Sequence, residues 1–192
     1  HLSHGTAKSG VESIGQGTRI RRGGHIVPAK KPLRREIDFG EGAKASVAVG
    51  WGDVSSAWHS TKIPDITVYF PSNPQVEQMA NMGRFKRWLL SRGPAQRALK
   101  KRIDQQPEGP SDAQRQAGSS LLYAEAANAN GERIRSRLRT PEGYTLTAMT
   151  GLEIVRRVCA GEARPGFQTP SSVFGPDFIA GFEGCAFHDV NG

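Results

Sequence analysis

Apolar and polar positions along this chain change period several times, and each change marks an element. Ala7, Val11 and Ile14 stand at i, i+4 and i+7, the spacing of one helix face, with Ser3 or Thr6 placed to cap its start and Gly15 to end it. From Thr18 to Arg35 the cations Arg19, Arg21, Arg22, Lys30, Lys31, Arg34 and Arg35 are scattered among Gly and Pro. That stretch is too irregular for a buried element, so an exposed, mobile loop is predicted. Alternation then places Leu33, Ile37 and Phe39 on one face of a strand, and Ala45, Val47, Val49 and Trp51 on the matching face of another, with Gly40 to Gly42 as a hairpin turn. After the polar stretch Gly52 to Thr61, Ile66, Val68 and Phe70 signal a third strand that Pro71 stops.

The period changes again at Asn73, a cap followed by Pro74 in the first turn. Met82, Phe85 and Leu89 recur at helical spacing beside Trp88, and a second helix is predicted from Pro94 to about Ile103. Pro107 to Ser120 is a polar connection. Leu121 to Asn128 and Arg133 to Thr140 form a hairpin about Asn130-Gly131, a pair favoured where both turn residues take positive φ. Pro141 breaks that strand. Ala148, Leu152, Val155 and Cys159 then mark the apolar stripe of a helix from Tyr144 to Ala160, with Gly161 as its stop and Cys159 as a small core residue. Strands joined by hairpins with helices between them predict an α+β fold with a mixed, largely antiparallel sheet and flanking helices. The expected organisation is one domain over 1–192, with a lead-in over 1–32, a body over 33–160 and a loop-rich tail over 161–192.

A net charge of +8 admits polyanions as partners but chooses none, because charge governs encounter and solubility rather than fold. Two cysteines, Cys159 and Cys185, without CxxC spacing indicate neither a zinc site nor a disulfide framework, which suits a cytoplasmic chain. No run of about 18 apolar residues occurs, so no membrane partner is expected. With no Met at its start and His1 opening directly on a helical pattern, a segment upstream is expected.

Gly15-Gln16-Gly17 lacks the third Gly of a dinucleotide fingerprint and follows a helix, not a strand, and no GxxxxGK[ST] phosphate loop is present. No cofactor is therefore expected to bind to these residues alone. His1, His4, His25, His59 and His188 show no metal-site spacing. In the segment WHSTKIPD, taken as strand to loop, Trp58, His59, Ser60 and Thr61 set stacking and hydrogen-bonding groups side by side; a solvent-facing histidine is the plainer alternative. Arg133, Arg135, Arg137 and Arg139 alternate along one strand face, as a clamp for phosphates or carboxylates or simply as a solvated outer face. In GFQTPSSVFG, Gln168, Thr169, Ser171 and Ser172 lie between Phe167 and Phe174, with the rings anchoring a loop whose polar groups face a cleft or another domain.

Four stretches together resemble the C-terminal part of bacterial saccharopine dehydrogenase-like oxidoreductases: SHGTAKSGVESIGQG (Ser3 to Gly17), REIDFG (Arg35 to Gly40), WGDVSSAWHSTKIPDITVYF (Trp51 to Phe70), and RLRTPEGYTLTAMTGLEIVRRVCAGEARPGFQTPSSVFGPDF (Arg137 to Phe178). The resemblance implies a two-part enzyme. An N-terminal Rossmann domain would hold NAD(P), and the part seen here would shape the substrate cleft and a homodimer contact, without activity by itself. It further implies that His59 or Tyr144 passes the proton accompanying hydride transfer, and that Trp58, Ser60, Thr61, Gln168 and Thr169 bind a small-molecule substrate. A homodimerising binding module without catalysis stays open beside this reading. A nucleic-acid-binding domain, motivated by charge alone, is the least favoured.

Overall fold

The computed structural model describes residues 3–190; His1, one of the five histidines, lies outside them. Helices and antiparallel strands make an α+β protein. Its residues group into two compact units, one formed by the chain up to Glu36 together with Lys44–Ser111, the other by Ile37–Ala43 together with Asp112 onward. No helix among the described residues is long and apolar enough to cross a membrane.

In the first unit, α1 (His4–Ser13) is capped by Ser3, whose Oγ accepts from the Thr6 N–H at 3.2 Å. It runs past Gly15 through a 3-10 turn (Ile14–Gln16) and stops at Gly17, where φ is +64°. The segment predicted as an exposed loop is instead a hairpin of β1 (Arg19–Arg22) and β2 (His25–Pro28), turning on Gly23 and Gly24, both with positive φ. Ile20 and Arg21 are buried, at 6% and 5% exposure. One apolar residue among three arginines has no period to read. The guanidinium is accepted inside because Nε donates to the Val54 carbonyl at 2.9 Å, Nη1 donates to the Gly24 carbonyl, and the Trp58 ring lies 5.1 Å away.

The predicted three-stranded sheet is present as β3 (Arg34–Asp38), β4 (Ala43–Val49) and β5 (Val68–Pro71), with β4 central. β4 and β5 pair antiparallel with Val47 opposite Phe70. Ser46, Val47 and Ala48 are all buried, so the middle of β4 is covered on both faces and not on one only. The polar stretch after it is α2 (Asp53–Thr61), not a loop. Only Val54 of that helix is buried, so it carried no apolar stripe to find; Asp53 in the first turn and Lys62 in the left-handed conformation at its end define its limits. Asn73 caps α3 (Pro74–Ala80) as expected, accepting from the N–H groups of Gln75 and Val76. The chain then breaks at Gly83 into α4 (Arg84–Leu90), followed by α5 (Gly93–Asp104).

The second unit opens with a short helix, α6 (Asp112–Ala117), inside the predicted polar connection. Its sheet has the order β6-β7-β8, from β6 (Ser119–Ala127), β7 (Arg133–Pro141) and β8 (Ala186–Asp189). The predicted hairpin exists, but its turn is wider than two residues: Gly131 alone takes positive φ, and the Asn128 side chain accepts from the N–H groups of Asn130 and Glu132. The arginine row is partly paired within the protein. Arg133 and Arg135 both reach Glu125, at 2.8 and 3.0 Å, and Arg137 reaches Asp38 at 2.8 Å.

α7 (Gly143–Cys159) forms where predicted and ends at Gly161, φ +83°. Its apolar stripe faces away from the unit, against expectation: Leu152 is 75% exposed, Val155 61%, and Cys159 is exposed rather than core. The face turned inward carries Leu146, Met149, Thr150, Glu153, Ile154 and Arg157. Arg157 lies over Phe174 and Phe178, at 5.1 and 5.3 Å, and a run of ring contacts continues to Phe182. Arg157 thus joins an inner face of Leu146, Met149 and Ile154 to the aromatic run by cation–π contact, which an apolar pattern does not register. Phe174 closes α8 (Pro170–Phe174), and Phe167 is 67% exposed.

Candidate functional site

A cavity of about 690 Å³ opens within the first unit. Its walls come from α1, the Gly17–Arg19 entry to β1, the exit of β4, Phe70 of β5, and α3 with the start of α4. Two glycines make this convergence possible. At Gly50 an added methyl would stand 2.8 Å from the Arg19 backbone nitrogen, and at Gly15 one would stand 2.9 Å from the Ser91 Cβ, so both places admit only hydrogen. Trp51 and Phe70 pack with ring centres 5.3 Å apart and planes tilted by 53°, and with Ile14, Val76 and Met79 they supply an apolar wall.

The polar lining is one-signed. Arg19 and Arg87 border the cavity, and among the described residues no carboxylate does. Arg87 is committed to the protein: its Nη2 donates to the Met79 and Ala80 carbonyls, both at 3.3 Å, and Nη1 would lie 2.3 Å from a methyl placed on Gly17. Arg19 is half-buried and has no side-chain hydrogen bond or ion pair among the described residues. Among the described residues the lining contains no His, Cys, Lys, Asp or Glu, so these residues can hold and orient a ligand but supply no imidazole, thiol or carboxylate for proton transfer.

The sequence-derived residues lie elsewhere, and none of them lines this cavity. Trp58, His59, Ser60 and Thr61 sit on the last turns of α2 in the first unit. The Trp58 ring is flanked by Arg21 and Lys62, at 5.1 and 5.7 Å, and Thr61 donates to the Ala57 carbonyl while accepting from the Ile63 N–H. His59 and Ser60 are exposed. Tyr144, Gln168 and Thr169 belong to the second unit. The Tyr144 N–H is bonded by the capping carboxylate of Glu142, Gln168 is exposed, and Thr169 is 9% exposed and occupied as the cap of α8 in a reciprocal pair with Ser172. Among the described residues no group of His, Cys, Asp or Glu is placed to hold a metal ion.

Sequence reasoning did not single out Arg19, Trp51 and Asn73 as residues that gather around a cavity. The signal for Arg19 was faint: a Gly pair at 23–24 with β-compatible residues on either side, which marks a tight hairpin even amid cations.

The α3 wall is pinned by Glu77, which accepts from Arg34 at 2.7 Å, Ser72 at 2.7 Å and Asn81 at 3.0 Å. These bonds, that of Arg34 first, hold the Glu77 carboxyl down to about 2. A depressed carboxylate contributes stability that is full above its ordinary value of 4.5 and is lost as pH falls toward 2. The thermal midpoint should therefore drop across that window, and Glu77→Gln should flatten the dependence; an unchanged slope in the variant would assign the acid sensitivity to other groups.

The Gly15–Gly17 segment does not have the strand–turn–helix form that would hold the dinucleotide the resemblance implies. Gly15 to Gly17 ends a helix and leads into a strand, and the space above Gly17 is filled by the Arg87 guanidinium. No protein-family model, curated protein or solved structure matches this chain.

Proposed function

We propose that this chain is the substrate-holding and assembly part of an NAD(P)-dependent oxidoreductase similar to the saccharopine dehydrogenase-like enzymes, and that the first unit's cavity receives an apolar molecule bearing an anionic group. The supporting observation is the lining: an apolar wall of Trp51, Phe70, Val76 and Met79, and Arg19, which has no ion-pair partner among the described residues, with no carboxylate among those that line the cavity. A half-buried guanidinium without a partner is stabilised by an anion, and the surrounding apolar groups lower the dielectric in which the two meet. The absence of acid–base groups from the lining agrees with a part that orients substrate while the redox chemistry belongs to a nucleotide-binding partner domain. The outward row Leu152 and Val155, with the 76%-exposed Ile134, supports an assembly role for the second unit, as homodimer contact or as the seat of that partner domain.

Calorimetric titration of the chain with decanoate and with decanol tests the reading. Decanoate should bind saturably and decanol much more weakly, and Arg19→Gln should weaken decanoate by roughly ten- to hundredfold while leaving decanol unchanged. Equal binding of both, or indifference to Arg19, would remove the anion site. Stoichiometric uptake of NADPH by this chain alone would remove the division of labour.

A further inference from the structure

Between Gln78 and Ile103 the chain has no carboxylate, yet eight cations stand from Arg84 to Arg102. Two of them serve the protein itself. Arg87 turns inward to the α3 carbonyls, and Lys100 pairs with Glu12 of α1 at 2.5 Å. The other six, Arg84, Lys86, Arg92, Arg97, Lys101 and Arg102, are exposed, and none is paired with a carboxylate among the described residues.

The same segment carries large apolar side chains that folding leaves in water. Phe85 is 75% exposed, Trp88 51% and Leu89 49%. At i, i+3 and i+4 they share one face of α4, opposite the side that carries Arg87 toward the cavity. Phe85 and Trp88 stack on each other at 5.9 Å, and Arg92 covers Trp88 at 4.2 Å. The rings thus form one joined apolar ridge flanked by cations, and not separate platforms spaced to take successive bases.

We propose that the α4–α5 surface docks on the face of an anionic lipid bilayer, with Phe85, Trp88 and Leu89 entering the headgroup layer and the six exposed cations meeting the lipid charges. An interfacial helix needs this combination of an aromatic and aliphatic row with basic flanks. The expectation of no membrane partner rested on the lack of a spanning segment, which concerns crossing a bilayer and not lying against one.

Flotation of the chain with vesicles is the test. Vesicles of phosphatidylglycerol and phosphatidylcholine in equal parts should carry the protein, and pure phosphatidylcholine should not. The double variant Phe85→Ser/Trp88→Ser should lose at least about tenfold in partitioning. Arg97→Gln, Lys101→Gln and Arg102→Gln should each lose up to roughly fivefold at low salt. All these side chains are exposed, so unchanged circular dichroism and thermal midpoint would show the variants folded. Three results overturn the proposal: equal binding to neutral vesicles, full binding by the double aromatic variant, or short duplex DNA that strips the protein from vesicles and binds wild type and double variant alike.

Discussion

Gly50→Ala is expected to lower the unfolding free energy by about 2–3 kcal/mol, the magnitude of forcing extra volume into a tight contact. The added methyl would meet the Arg19 backbone nitrogen at 2.8 Å and the Gly17 carbonyl oxygen at 3.5 Å. Neither neighbour can yield as the tip of a flexible side chain would; both belong to the backbone that enters β1. The same displacement would narrow the cavity where β4 leaves the sheet, so decanoate uptake should fall along with stability. Gly151→Ala supplies the contrast. That glycine lies in α7 with open space around it, and alanine there should stabilise by about 0.5–1 kcal/mol through helix propensity. Denaturant midpoints at unchanged slope report both variants. A loss below about 0.5 kcal/mol for Gly50→Ala, the range of an ordinary surface change, would mean that the β4 exit and the β1 entry are not in contact.

Arg21→Ala should cost about 3 kcal/mol, because the bonds removed are charge-assisted and their acceptors are left without a donor. The guanidinium is the donor to the carbonyls of Val54 and Gly24, and one face of the Trp58 indole rests on it. Arg21→Lys should recover only part of the loss, since one ammonium cannot reproduce the planar fork that bonds two carbonyls while stacking on a ring. Urea unfolding, with tryptophan emission as the probe, measures both. If Arg21→Lys behaved as wild type, the charge alone and not the fork geometry would be what the hairpin requires.

These two positions show where reading the chain from its pattern succeeds and where it stops. The caps at Ser3 and Asn73, the α5 and α7 helices, the β3-β4-β5 strands and the β6–β7 hairpin were legible because each depends on residues two to four places apart. α2 was not, because a helix with a single buried side chain leaves no stripe. The β1–β2 hairpin was missed for a related reason: one of its two buried residues is an arginine, whose acceptor at Val54 lies 33 positions away. Of the candidate site, the sequence suggested polar groups near Trp58 and Thr169. The structure engages Trp58 with Arg21 and Lys62, uses Thr169 as a cap, and opens its cavity beside Arg19.

Local chemistry along the chain thus determined the α+β class and the identity of most helices and strands, since propensity, capping and turn conformation are settled within a few residues. Tertiary structure alone decided which cations are buried, which face of α7 meets its own unit, and which residues gather around the cavity, from Thr6 to Pro107. An apolar stripe states that a surface gains by leaving water, but not against what; and a guanidinium is at home inside only where carbonyls from distant segments arrive to receive it.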